Sequence, residues 1–271
     1  MTNSRSDTSA SNALGPRLMA FGGVQLRAAQ AHLAQQGVAR HGGIHEARKC
    51  LRRARAMLAL GVDVLGTGAM RLDTELARLC RGLSGLRDAQ AVVEALHRLN
   101  GDTQLPSAVR SLAVKMARQQ RDDILDKVMA DDIEFGQRRQ RLLRAETRLE
   151  RLDWSSITRD GVKDALARSF RRMERARRRA KRRQDDDQAW HTFRRRLRRW
   201  RHQNSLLAEI APRLSRSSKQ FDQQAAALGD SQDDVLLLAR CGGRSPFPPE
   251  IRAALRKALR QRLSRTRVMS K

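Results

Sequence analysis

Residues 190–202 read WHTFRRRLRRWRH, six arginines in thirteen positions. On a helix turning about 100° per residue, Trp190, Phe193, Leu197 and Trp200 recur at i, i+3, i+7 and i+10 and fall on one face. They predict a buried stripe. His191, Arg194, Arg195, Arg198, Arg199 and Arg201 take the other side, so a rigid rod presents an imidazole and a row of guanidiniums in one general direction. A disordered basic tail requires no such order.

The stretch has a counterpart at 44–55, IHEARKCLRRAR. His45, Arg48, Lys49, Arg52, Arg53 and Arg55 stand at the offsets of His191, Arg194, Arg195, Arg198, Arg199 and Arg201, and Ile44, Ala47, Leu51 and Ala54 replace the apolar stripe. LSGLRDAQAV from Leu83 is echoed by LGDSQDDVLL from Leu228, which sets Asp88 opposite Asp233. Two motifs recurring together at nearly the same separation are the mark of an internal duplication. The chain therefore divides into halves, 13–153 and 154–268, each expected to form a helical bundle with one basic helix, after a disordered start at 1–12. A pseudo-twofold pairing of the halves turns the two basic helices toward a shared surface.

Composition bounds the partner. The 271 residues carry 56 Lys and Arg against 29 Asp and Glu, a formal charge of +27, and only eight of the basic residues are lysine. Arginine's planar fork grips phosphate or carboxylate oxygens bidentately, whereas lysine offers a point charge. A charge of this size repels itself unless a polyanion relieves it. Residues 168–201 alone hold 16 basic and four acidic residues, so the field is concentrated. Cys50, Cys80 and Cys241 are widely spaced without a CxxC pair, which fits buried structural thiols rather than disulfides or a zinc site. No run of about twenty apolar residues suggests a membrane span, and the start lacks the apolar core of a signal peptide. A cytoplasmic protein is expected.

An all-α fold follows from the dominance of Ala, Leu, Arg and Gln and the lack of a sustained alternating strand pattern. Helices are expected at about 14–37, 43–60, 69–82, 86–99, 107–150 with a break near Phe135-Gly136, 158–183, 187–210, 214–227, 231–241 and 248–267. GVDVLGTG and Gly229 are read as turns.

The duplicated pattern H-x-x-R-[KR]-x-x-[KR]-R-x-R, intact as HEARKCLRRAR and HTFRRRLRRWR, resembles the conserved histidine α-helical domain family, CHAD, over nearly the whole chain. The resemblance implies two pseudo-twofold-related four-helix bundles around a basic central channel that binds inorganic polyphosphate, and association with polyphosphate granules. Ser84 stands where the family has glycine, and Gln232 where Arg87 stands in the first half. The E-x-E-x-K strand of triphosphate tunnel domains is absent from the sequence, so no attached phosphatase or cyclase activity is expected.

Polyphosphate has closely spaced charges and no bases, so its site calls for rows of guanidiniums without a stacking shelf. Tyrosine is absent, and Trp190, Phe193 and Trp200 belong to the buried stripe, which weakens a single-stranded nucleic-acid reading. Binding candidates are His45, Arg48, Lys49, Arg52, Arg53, Arg55, His191, Arg194, Arg195, Arg198, Arg199 and Arg201. Arg171, Arg172 and Arg175 join them from a third basic helix, FRRMERARRRAKRR. Arg48, Arg52, Arg194 and Arg198 lie nearest the centre of the face. The histidines are expected as phosphate donors whose charged form an anion favours. Asp88 and Asp233 are expected to orient arginines through salt bridges rather than to catalyse. No cofactor or metal is expected: Glu94 and His97 form a single E-x-x-H, and Gly42-Gly43 separates His41 from His45. The expected function is non-enzymatic polyphosphate binding; the alternatives are a nucleic-acid-binding protein without sequence readout and a polyphosphate-processing enzyme.

Overall fold

The computed structural model describes residues 14–99, 105–217, 221–243 and 245–269. The expected disorder at 1–12 lies outside them. Among the described residues there are nine α-helices and no strand: α1 Leu14–Leu33, α2 Arg40–Gly82, α3 Ser84–Arg98, α4 Ser107–Asp131, α5 Gly136–Glu150, α6 Arg159–Arg182, α7 Asp187–Ile210, α8 Asp222–Arg240 and α9 Pro249–Met269. None is long and apolar enough to cross a membrane.

The helix that carries the decisive stretch starts on a side-chain cap. Asp186 accepts from the Ala189 amide at 3.0 Å, supplying one of the acceptors that a helix start lacks. The preceding α6 starts the same way, with Thr158 accepting from Gly161 at 3.1 Å. The expected break near Phe135-Gly136 is present as a 3-10 turn, Ile133–Phe135, with Glu134 and Phe135 at positive φ.

Glycine misleads at two places. The GVDVLGTG segment is not a loop; α2 runs through it with only Gly66 non-helical, at φ 62° and ψ −148°. Gly61 is there for packing, since a Cβ on it would stand 2.6 Å from Ile157 Cδ1. Gly229 lies inside α8 instead of ending a helix, beside the Arg194 guanidinium, which would be 3.9 Å from an added Cβ.

Packing builds two apolar cores. The larger joins α1, α2, α5, α6 and α7 with the first turns of α3 and α8. The smaller joins the later turns of α3 and α8 with α4 and α9. Both cores draw helices from 13–153 and from 154–268, so the two stretches are interlocked. Contacts between α2 and α7 and between α3 and α8 cross from one stretch to the other.

The stripes behave as their period dictates. Ile44, Ala47, Leu51 and Ala54 are buried, as are Phe193, Leu197 and Trp200, while Trp190 is half-buried. Trp200 is wedged between Phe170 and Phe221, with ring centroids 5.4 and 5.3 Å away. A buried amide then ties the two motif helices together, Gln203 Nε2 donating to the Ala56 carbonyl at 3.1 Å. With register set by core and hydrogen bond, the polar faces of α2 and α7 are held in a defined relation.

Candidate functional site

On α2 and α7 the arginines divide by their neighbours. Arg48, Arg52, Arg194 and Arg198 form one group spanning the two helices. The charges acting on Arg198 are those of Arg194, Arg52 and Arg48, and those acting on Arg52 include Arg48, Arg194 and Arg87. Burial, reinforced by these like charges, pushes the Arg198 guanidinium down to about 8 and that of Arg52 down to about 10. Arginine keeps its proton at neutral pH, so these depressions express the strain of gathered, desolvated positive charge.

That charge has little internal relief. Arg48 Nη1 donates to the Cys80 carbonyl at 2.7 Å, but its Nε and that of Arg52 are buried without a hydrogen-bond partner. Among the described residues, Arg52, Arg194 and Arg198 have no acid within ion-pair distance; Asp233, Asp230 and Asp88 act on Arg194 only from farther away, and burial still leaves Arg194 lowered.

The edges of the faces contrast with the centre. Arg55 forms a forked pair with Asp73, Nε to Oδ1 at 2.8 Å and Nη2 to Oδ2 at 3.1 Å. Arg201, at the same offset in the second motif, pairs with Asp222 at 2.6 Å. Lys49 is held by Glu46 at 3.1 Å. Arg199 belongs to a flank group, with Asp73, Arg55, Arg196 and Arg172 as its charged neighbours. Arg171, Arg172, Arg175 and Arg195 are exposed, and Arg53 is half-buried beside His202.

The two motif histidines sit on equivalent partners. Arg87 Nε donates to His45 Nδ1 at 2.8 Å, and His191 Nδ1 lies 2.7 Å from Gln232 Oε1. The departure at Gln232 thus keeps a partner for the histidine. It changes the proton direction: Arg87 has only protons to give, so His45 accepts at Nδ1 and carries its proton on Nε2, whereas the Gln232 oxygen accepts from Nδ1–H of His191. Burial, then Arg87, hold His45 below the ordinary imidazole value. With Nδ1 engaged by Arg87, the donor that His45 presents is Nε2–H.

The acidic pair is unequal. Asp233 is buried and bridges the halves, 3.3 Å from Arg98 and 3.8 Å from Arg87; burial raises its carboxyl above the ordinary value against the pull of those arginines. Asp88 departs from the expectation, because it forms no ion pair among the described residues. Its neighbour Arg87 makes the contacts instead, to His45, to Asp233 and to Glu94 at 3.0 Å.

Three contributors carry no mark in the duplicated pattern. Arg87 has Gln232 at its matching position, so the repeat does not mark it. Arg196 lies off the duplicated pattern. His202, the last residue of the opening stretch, faces Arg52, Arg53, Arg198 and Arg201; burial and then these charges push it down to about 3, and its Nε2 is buried without a partner. Among the described residues, no three His, Cys, Asp or Glu side chains gather as a metal-ligand set. His41 is engaged by Asp122 at 3.2 Å, and His97 lies 3.3 Å from Arg118.

A family model described as CHAD domain matches residues 23–242, which takes in both motif helices. No curated protein and no solved structure matches the chain.

Proposed function

The chain belongs to the CHAD family, and on that footing we propose that it binds inorganic polyphosphate, without catalysing a reaction on it, through the guanidiniums gathered where α2 packs against α7. The observation that carries this reading is the contrast between centre and edge. Arg55 and Arg201 have acids of their own, whereas Arg52, Arg194 and Arg198 have none within reach among the described residues. An external anion is the counter-charge that this arrangement lacks.

A polyphosphate chain suits it because successive phosphates meet successive guanidiniums, with Arg48, Arg52, Arg194 and Arg198 at the centre and His45 and His191 at the motif starts. His45, its Nδ1 engaged by Arg87, offers Nε2–H as a further donor. Phe193 and Trp200 are buried in the core, so they are not a platform for bases. Asp233 holds Arg87 and Arg98 in place, a positioning role. Binding of this kind places the protein on polyphosphate granules.

The test is competition at fixed ionic strength between long polyphosphate and DNA or RNA, with Arg194→Glu/Arg198→Glu as the site variant. Preferred retention of polyphosphate, lost in the double variant while helicity is kept, is the expected result. Equal or better retention of nucleic acid would sink the reading. Incubation of pure protein with polyphosphate and divalent metals should leave chain length unchanged; shortening that Asp233→Asn abolishes would make the protein an enzyme.

A further inference from the structure

A hollow of about 320 Å³ lies on the flank of the α2–α7 pair, against α6. Its apolar lining is Leu58, Ala59 and Val62 before the Gly66 break in α2, Ala69 and Met70 after it, and Ala165 of α6. Met70 stands at the rim, 58% exposed, one of the few large apolar side chains left to solvent. Its basic lining is Arg168 and Arg172 of α6 and Arg196 and Arg199 of α7, and its acids are Asp63 and Asp73.

Both acids are already taken. Asp63 is paired with Arg168, and Asp73 with Arg55 at 2.8 Å. Arg172, Arg196 and Arg199 are then left facing the hollow with no acid within ion-pair distance among the described residues. Burial, then the charges of Arg172, Arg195 and Arg175, lower Arg196 from its ordinary value, so positive charge is crowded in this lining.

A bare phosphate chain makes no use of an apolar lining. Carbon does, and a pocket with an apolar lining and a few convergent polar groups is the usual form of a small-molecule site. We propose that this pocket binds a small organic phosphate, its phosphate gripped by Arg172, Arg196 and Arg199 and its carbon body laid against Leu58, Val62 and Met70. Bidentate guanidinium contacts select the phosphate, and the apolar lining selects against inorganic phosphate. The pocket is separate from the Arg48, Arg52, Arg194 and Arg198 group, and the inference does not rest on the polyphosphate reading.

The probe is 1-naphthyl phosphate, titrated calorimetrically into the full chain at fixed ionic strength, with inorganic phosphate and tripolyphosphate as references. Saturable binding at one site per chain is expected, at least about tenfold tighter than inorganic phosphate. Arg172→Ala/Arg196→Ala and, separately, Met70→Asp should each weaken it about tenfold or more; all three positions are exposed, so the variants keep the fold, as circular dichroism will verify. Arg52→Ala/Arg198→Ala should leave it within about twofold. The inference is overturned if inorganic phosphate binds equally well, if either flank variant binds like the parent, or if the loss follows Arg52 and Arg198 instead.

Discussion

Replacing Arg198 by methionine should make the ligand-free protein more stable and the polyphosphate-bound protein less so. Arg198 is pushed down to about 8 by burial and by Arg194, Arg52 and Arg48. At about 1.36 kcal/mol per pH unit, the drop from an ordinary arginine sets a ceiling of about 6 kcal/mol on the strain of keeping it charged. Relaxation and solvent entry lower the realised figure, and exchanges of buried charge for apolar groups typically gain about 1–4 kcal/mol. Methionine keeps a long flexible stem in the space. A gain of about 2–3 kcal/mol is expected for Arg198→Met, seen as a rise of roughly 4–12 °C in Tm for a chain of this size.

The assay is thermal unfolding at low salt, with and without long polyphosphate. Polyphosphate should raise the Tm of the parent strongly, because a ligand that binds only the folded state stabilises it by mass action, and should raise that of the variant much less. The order of stabilities then reverses between the two conditions. An Arg198→Met protein that is less stable than the parent without ligand would show that Arg198 already has its counter-charge inside the fold. Equal stabilisation of both proteins by polyphosphate would place the binding site elsewhere.

Three further outcomes are expected. His202 is held at about 3 when folded, so the unfolded chain takes up its proton first as pH falls below about 6.5, and stability is lost from there down toward pH 3; urea titrations should show His202→Gln losing about 3 kcal/mol less than the parent between pH 7 and pH 4, and an unchanged difference would mean that His202 is not buried and neutral. Gly15→Ala should cost about 2 kcal/mol or more, measured by denaturant unfolding, because the new Cβ would meet the backbone carbonyl of Trp154 and a carbonyl on the main chain cannot swing aside. Polyphosphate affinity should fall steeply and linearly in log–log form with salt, as counterion release requires, and Arg52→Ala should make that slope shallower while Arg55→Ala, already paired with Asp73, should change it less.

Sequence by itself determined what depends on local periodicity. The i, i+3, i+7 spacing of Phe193, Leu197 and Trp200 names the buried face, and the matching stripe from Ile44 to Ala54 is buried too. The all-helical class follows from residue propensity and the missing strand alternation, and the break before Gly136 from the glycine itself. Only tertiary structure decided which charges are satisfied. Arg52 and Arg55 are three residues apart on one helix, yet one faces Arg198 across the α2–α7 contact and the other meets Asp73 after α2 has bent at Gly66. Asp88 and Asp233 match in the repeat but differ in ion pairing, because Arg87 and Arg98 turn toward α8 and reach Asp233. Gly61 reads as a turn because sequence shows a missing side chain, not the Ile157 methyl that fills its place. Periodicity is a property of one helix; compensation of charge depends on the atoms that other helices bring within a few ångströms, and those are set only when the cores close.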